Sequence, residues 1–441
     1  MTGIIMFGIM GVGLYFLFRL RAFFIFHPIA TVRRWWKGQK SGRREALGTL
    51  SVALAGTLGV GNVTGVAFCL LRGGAGSAFW MLISAAFAAA LKFAESAVTV
   101  ADRQDHKRRI GGMPYVIKNT LRHGGFLSSV YALLCLGAAF SMGAALQARA
   151  ITETAQRLFD VPILPITTLV TALSVFLVRG GKKKIIKASE ILVPLATFLY
   201  TALCFGVLLH NRHSLPGVFS TVLRDAFSLS SAAYGVGAFT AMKSVFRCAF
   251  AGISAGLLSN ESGAGTSTLA HGGNLSSSPS EEGILGTFEI LVDTVFLCSL
   301  TSVTLLSGGA LSSSETAMAL IDNTFSAVYG DVFRLPFFLS VFIFALATVI
   351  CWFSYGEECR VFLFGKAHRG VYFLAFSVAV FFGGFLPTEK CIPLSDAFLS
   401  LLSVLCLLTL LKSGDTVKAL AQKDGFLKKS EKSKKTLDKD G

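Results

Sequence analysis

Two short stretches hold the residue types best able to bind a small ligand. The first, Gly56-Thr57-Leu58-Gly59-Val60-Gly61-Asn62-Val63-Thr64-Gly65, interrupts a hydrophobic segment running from Ala46 to Leu71. The second is Gly256-Leu257-Leu258-Ser259-Asn260-Glu261-Ser262-Gly263-Ala264-Gly265. Each interior glycine costs a helix about 0.8–1 kcal/mol relative to alanine, so both stretches are expected to break. A broken helix leaves C=O groups free at the end of its first half and N–H groups free at the start of its second. The N–H cluster, at the positive end of the helix dipole, suits a carboxylate. The carbonyls suit a dehydrated Na⁺. On this reading Val60, Gly61 and Asn62 offer N–H groups, and Ala55 and Leu58 offer carbonyls. An alternative is that the glycines only let helices pack closely.

Polar residues inside apolar spans point to function because they are costly there. Gln147 ends a run from Cys135 and offers two donors and an acceptor, either to a small zwitterion or to a neighbouring helix. Glu261, beside Asn260, is open to three roles: pairing a substrate ammonium, taking a proton, or accepting N–H bonds from the unwound backbone. Asp293 could neutralise a cation or serve as a buried structural partner. Thr348, near the middle of an apolar span, carries a hydroxyl suited to Na⁺. Lys92 and Glu95 lie three apart on one helix face, and the expected role of that pair is structural, each bonding the other.

The elements that position these residues follow from composition. Of 441 residues, 53% are hydrophobic and only 15% charged, against about 25% charged in a soluble domain. Repeated apolar runs near the length of a bilayer crossing place the chain in a membrane. The net charge of +16 then reads as the cytoplasmic Lys/Arg bias and not as a nucleic-acid surface. Spans are expected near 4–18, 46–71 (broken), 75–101, 128–148, 162–178, 186–209, 243–270 (broken), 284–307, 336–359, 370–386 and 393–411, making about eleven. The basic clusters after the first span, in 102–127 (including Lys107, Arg108 and Arg109), in 179–187 and in 360–369 all fall on one side. The opposite loops are poor in Lys and Arg. One inner loop, 272–283, breaks the rule with Glu281 and Glu282. The expected result is a multi-pass protein of the plasma (inner) membrane with its N-terminus outside and its C-terminus cytoplasmic. The first span has its positive charge after the apolar run and no small-residue cleavage site, so it reads as an uncleaved helix.

Residues 1–45 form an extra N-terminal helix and a basic loop. Residues 46–209 and 243–411 then read as two sets of five spans, each opening with a broken helix and oppositely oriented. That is a 5+5 inverted repeat, whose binding site lies at the midplane where the broken helices face each other. Segment 210–242 joins the repeats. The tail 412–441, with Lys428, Lys429, Lys432, Lys434 and Lys435, is expected to be disordered and cytoplasmic.

Enzyme signatures are absent: there is no GxxxxGK[ST], HExxH or GxSxG. The nine cysteines include no CxxC pair and read as small apolar fillers. The seven histidines lack metal-ligand spacing.

At the same two breaks the sequence resembles the alanine or glycine:cation symporter family, the sodium:alanine symporters. The resemblance is carried by Thr57 to Val66 (T-x-G-x-G-N-[IV]-x-G-V), by Gly73-Gly74-Ala75-Gly76 with Phe79-Trp80, and by Lys92 to Glu95 (K-F-A-E). Gly256 to Thr266 (G-L-x-S-N-E-x-G-x-G-[ST]), Ala270-His271, Asp293-Thr294 and Trp352 to Glu357 (W-x-x-Y-G-E) add to it. The matches span about residues 10–411. The resemblance implies an all-α membrane protein with a LeuT-type fold that couples Na⁺ or H⁺ entry to uptake of glycine and L- or D-alanine. It implies no cofactor beyond the coupling ion. The substrate ligands would be Val60, Gly61, Asn62, Gln147, Asn260, Gly263 and Trp352, and the Na⁺ ligands Ala55, Leu58 and Thr348. Three positions depart from the family pattern. Val60 replaces a threonine, Arg149 follows Gln147-Ala148 where asparagine is usual, and Ala347-Thr348 keeps one of two adjacent hydroxyls. These departures leave open an H⁺-coupled permease, and they motivate a second reading as a non-transporting receptor that kept the site.

Overall fold

The structure is a computed structural model and describes residues 3–38, 42–103, 111–227, 238–274 and 277–427. All regular elements among these residues are helical. Those that build the bundle and the site are, in chain order, α1 (Gly3–Arg19), α2 (Arg43–Thr57), α3 (Thr64–Gly73), α4 (Ser77–Ala101), α5 (Gly124–Phe159) and α6 (Ile163–Arg179). They continue with α7 (Gly181–His210), α8 (Leu215–Ala226), α9 (Ala238–Ser259), α10 (Thr268–His271) and α11 (Pro279–Ser307). The last five are α12 (Ala317–Tyr329), α13 (Arg334–Phe364), α14 (Arg369–Gly383), α15 (Thr388–Lys412) and α16 (Gly414–Lys423). Among the described residues, six helical stretches are long and apolar enough to cross a bilayer, and the bent pair α2–α3 makes a seventh. The shorter apolar helices α1, α6 and α14 coincide with expected spans of their own.

The first break bends the chain by 65° between α2 and α3. The second leaves residues 260–267 non-helical between α9 and α10. Here Glu261 has a φ of 52° and Gly263 a φ of 86°. The latter conformation is natural to glycine and strained for other residues. The helices of the two breaks pack crosswise in sequence, α3 against α9 and α2 against α10. The two broken helices therefore run antiparallel, as an inverted repeat requires.

Helix α4 is the spine of the bundle and touches α1, α9 and α11. Its inner half is almost entirely buried from Ala88 to Val100, and alanines there let neighbours approach closely. At the other end of α4, Gly252 of α9 packs so closely that a Cβ there would lie 2.2 Å from the Ser77 carbonyl oxygen. The outer faces are apolar and exposed, as a lipid-facing surface demands, with Phe198 on α7 and Leu374 on α14 as examples.

Several boundaries differ from the sequence expectation. The loop expected at 179–187 shrinks to Gly180, and Lys182, Lys183, Lys184 and Lys187 occupy the first two turns of α7. Lysine is a good helix former whose long stem carries its charge outward. Helix α13 runs on to Phe364, where Arg360 pairs with Glu357 at 2.9 Å, so half of the loop expected at 360–369 is helix end. The joining segment 210–242 contains α8. The start of the tail is not free chain, because α16 buries Val417 and Ala421 and Asp415 pairs with Arg19 of α1. The tail lysines from Lys428 onward, and Lys107, Arg108 and Arg109, lie outside the described residues. All nine cysteines are buried and free.

Candidate functional site

At the first break the helical ladder stops because its next donor goes elsewhere. The Leu58 N–H still bonds the Leu54 carbonyl, at 2.7 Å. The Gly59 N–H, which would have closed a turn on Ala55, instead meets the Thr57 carbonyl at 2.9 Å and Asn62 Oδ1 at 3.2 Å. Gly59 is extended, at φ −122° and ψ −162°. The amides of Val60 and Gly61 find no protein acceptor among the described residues. A Cβ built on Gly61 or Gly65 would meet nothing within 4 Å. This break therefore leaves two donors unused and has open space beside Gly61.

Two further residues frame it. Thr348 Oγ1 on α13 lies 3.4 Å from the Leu58 carbonyl oxygen and 3.0 Å from its own Phe344 carbonyl. A Cβ on Gly59 would sit 3.2 Å from Thr348 Oγ1 and 3.3 Å from Gln147 Oε1, so these side chains converge on the break. Gln147 donates to the Met142 carbonyl at 3.3 Å, while its Oε1 is buried without a partner among the described residues. Trp352 is fully buried against Gly143, and its Nε1 likewise has no acceptor among the described residues.

Asp293 joins the two breaks. It projects from a π-helical segment of α11, Leu291–Cys298, a distortion that often accompanies functional positions. Asn62 Nδ2 donates to Asp293 Oδ1 at 2.6 Å, Thr294 Oγ1 donates to Oδ2 at 2.8 Å, and Ser259 Oγ lies 3.2 Å from both oxygens. One carboxylate thus holds the first break, the end of α9 and α11 together. Asn260 is enclosed in the same group, donating to Thr294 Oγ1 at 3.0 Å and accepting the Ser262 N–H at 3.1 Å.

The second break is stitched by its own surroundings. Thr266 donates to Glu261 Oε2 at 2.5 Å, the Gly263 N–H to Glu95 Oε1 at 2.7 Å, and Tyr131 to the Ala264 carbonyl at 2.7 Å. Gly263 faces Ile9 of α1, and its donor is already used, so nothing in its surroundings directs it toward a substrate. Glu261 holds the unwound segment through Oε2 and keeps Oε1 unpartnered among the described residues.

The expected Lys92–Glu95 bond is not the arrangement found. Lys92 reaches across to Glu289 on α11 at 3.1 Å and donates to Ser267 Oγ at 2.8 Å, which leaves Glu95 free to hold Gly263. Glu289 also bonds His271 Nε2, and His271 Nδ1 lies 2.7 Å from Glu282 Oε1. This buried network escaped the sequence reading. Ionisable residues within apolar spans were the available signal, but partners nearly 200 positions apart cannot be paired by periodicity. A separate cavity of about 500 Å³ between Leu54, Phe198, Phe205 and Phe296 is apolar and contains none of the polar residues of the breaks.

An all-helical bundle whose antiparallel broken helices meet at a polar core is the architecture of a secondary transporter. The chain belongs to the sodium:alanine symporter family, whose profile matches residues 1–439. It is 31% identical over 383 residues to an uncharacterized transporter of Haemophilus influenzae, covering 85% of this chain and 83% of that protein. It is 28% identical to the sodium/alanine symporter AgcS of Methanococcus maripaludis, covering 76% of this chain and 74% of the other. The fold is similar to that of the manganese transporter of Eremococcus coleocola, with a TM-score of 0.53 at 13% identity over 86% of this chain and 76% of that one. The protein is a transporter, and its family and structural neighbours are not enzymes.

Proposed function

We propose that this protein is a secondary active symporter that couples Na⁺ entry to uptake of small neutral amino acids, alanine and glycine, by alternating access. The observation that carries the reading is the pair of unused amides at Val60 and Gly61, in a break with open space beside Gly61 and with the carbonyls of the same break nearby. Those amides would receive the substrate carboxylate. Gln147 Oε1 supplies an acceptor for the ammonium, and buried Trp352 packs behind the helix that carries Gln147. Na⁺ would lie among the carbonyls of Ala55 and Leu58 and the hydroxyl of Thr348, all neutral oxygen donors. Asp293 keeps Asn62 in position, so that filling one break is felt at the other.

In this scheme eleven spans cross the inner membrane, with the N-terminus outside and the C-terminus in the cytoplasm. The first span stands outside the two five-helix units 46–209 and 243–411. Binding of ion and amino acid favours closure over the site, and the broken helices then rock against the remaining bundle to change access.

The test is uptake of radiolabelled alanine and glycine into proteoliposomes, with Na⁺ and pH gradients imposed separately. Uptake driven by inward Na⁺ is expected. Uptake driven only by a pH gradient would replace Na⁺ with H⁺ as the coupling ion. Saturable binding without uptake under either gradient would overturn the symport reading in favour of a receptor.

A further inference from the structure

The donors and acceptors around His271 do not balance unless the site holds one extra proton. His271 is fully buried, and each of its ring nitrogens faces a carboxylate oxygen: Nδ1 lies 2.7 Å from Glu282 Oε1 and Nε2 contacts Glu289 Oε1. A neutral imidazole has one N–H and one lone pair. With both glutamates ionised, one of the two contacts would then set a lone pair against a lone pair. The geometry is satisfied only if the ring carries two N–H groups or if one carboxyl is protonated. Of the remaining oxygens, Glu282 Oε2 accepts from Asn274 Nδ2 at 2.8 Å, and Glu289 Oε2 forms an ion pair with Lys92 Nζ at 3.1 Å.

We propose that Glu282, His271 and Glu289 form a buried proton-binding site whose occupancy sets how firmly residues 260–274 are held against α4 and α11. His271 ends α10, the helix that follows the second break, while both glutamates stand on α11. Lys92 links the triad back to that break by bonding Glu289 and Ser267 together. When the proton leaves, an attractive contact becomes repulsive in a site that water does not reach, and α10 loses its grip on α11.

The charged groups around the triad come from several elements packed on it, among them Asp424 just after α16, which accepts the Ser280 N–H at 3.0 Å. Helix α4 contributes Lys92 and Glu95, with Arg103 just beyond its end, and the break contributes Glu261. Arg103 feels both Glu282 and Glu45 of α2. Tyr355 of α13 feels both Glu261 and Glu289. Lys182 Nζ of α7 would lie 3.0 Å from a Cβ on Gly273. With the ring neutral and both glutamates ionised, one of the two contacts of His271 lacks a donor. The proton site does not depend on the symport reading, although its effect on uptake does.

The experiment uses the full chain in lipid nanodiscs with ¹⁵N-labelled histidine. Nitrogen NMR counts the N–H groups on His271, assigned with His271→Gln. Infrared spectra from about pH 5 to about pH 9, the window that brackets an ordinary imidazole, report protonated carboxyls. The expected result is two N–H groups on the ring, or one N–H together with a carboxyl band that Glu282→Gln or Glu289→Gln removes. One N–H and no such band over the whole range would overturn the proposal. If His271→Gln does not fold, Glu282→Gln with the wild-type spectra decides the same question.

In proteoliposomes, Na⁺-driven alanine uptake is expected to fall at least about fivefold as pH rises through the loss of this proton, a coupling of roughly 1 kcal/mol. His271→Gln flattens that limb. An unchanged limb in a folded His271→Gln protein would overturn the link to residues 260–274. Absence of uptake at every pH would instead count against symport, while the spectra still decide the proton site.

Discussion

The two breaks are built from similar residues and are used differently. At the first, the amides of Val60 and Gly61 are left over, Gln147 Oε1 is unpartnered among the described residues, and the space beside Gly61 is open. At the second, the donors have been consumed: Gly263 is held by Glu95, Ser262 by Asn260, and Thr266 by Glu261. A buried polar group without a partner carries a desolvation penalty, so it persists where a ligand or water will satisfy it. On the proposed reading the first break is the receptor side of the site and the second, whose backbone donors are bound by Glu95 and Asn260, is the fixed side.

The sharpest way to break this contrast is to fill the open space at the first break. Gly61→Leu meets no atom within 4 Å at its Cβ and should fold with unchanged thermal stability. Its side chain would cover both amides and forfeit two hydrogen bonds to a charged group, about 1.5–3 kcal/mol each. Alanine uptake at a fixed low concentration is expected to fall by about a hundredfold or more. Normal uptake by this variant would show that the amides are not the carboxylate site.

The second break should answer in the opposite way. Glu95→Ala leaves the Gly263 N–H buried without its acceptor, at a cost of about 1–3 kcal/mol. The melting midpoint in detergent should fall well below the wild-type value, while Glu95→Gln, which keeps an acceptor oxygen, recovers most of it. If Glu95→Ala changed the half-saturating alanine concentration and left the melting midpoint alone, the assignment of receptor and scaffold would be reversed.

The sequence carried the breaks but not their division of labour. Glycine placement in apolar spans located both of them, because four-residue helical periodicity cannot continue through such stretches without loss. Thr348, Gln147 and Asn62 could be singled out because a polar side chain at membrane depth is costly. The partners could not be read. Whether Lys92 turns to Glu95 or crosses to Glu289 depends on how closely α4 and α11 approach, and the two pairings look alike from residue type alone. The same applies to Gly263, whose donor is spent on a carboxylate 168 positions away. Helix ends were also misjudged where lysines stood, because the charge that marks a cytoplasmic edge does not stop a helix.

A smaller effect separates the ion from the substrate at the first break. Thr348→Val keeps the shape of the side chain and removes the hydroxyl that lies 3.4 Å from the Leu58 carbonyl oxygen. The Na⁺ concentration giving half-maximal uptake is expected to rise about tenfold, the equivalent of one modest ligand. Alanine affinity at saturating Na⁺ should stay close to wild type, and Thr348→Ser should restore the Na⁺ response. An equal loss in both constants would place the hydroxyl with the substrate.

The least disruptive test concerns Gln147. One N–H of its Nε2 is used on the Met142 carbonyl within the same helix, and Oε1 has no partner among the described residues. Gln147→Ala removes that acceptor and also relieves a buried group of its unmet hydrogen bond, so stability should be unchanged or slightly improved. If Oε1 receives the substrate ammonium, the half-saturating alanine concentration should rise about threefold to tenfold, the range expected for one hydrogen bond. Maximal uptake should be nearly preserved. Because Gln147 Oε1 and Thr348 Oγ1 both approach Gly59, the Na⁺ response is measured in parallel. A shift in the Na⁺ constant alone would mean that the amide oxygen completes the cation's shell instead, and that the first break gives the ion one oxygen more than Ala55, Leu58 and Thr348 provide.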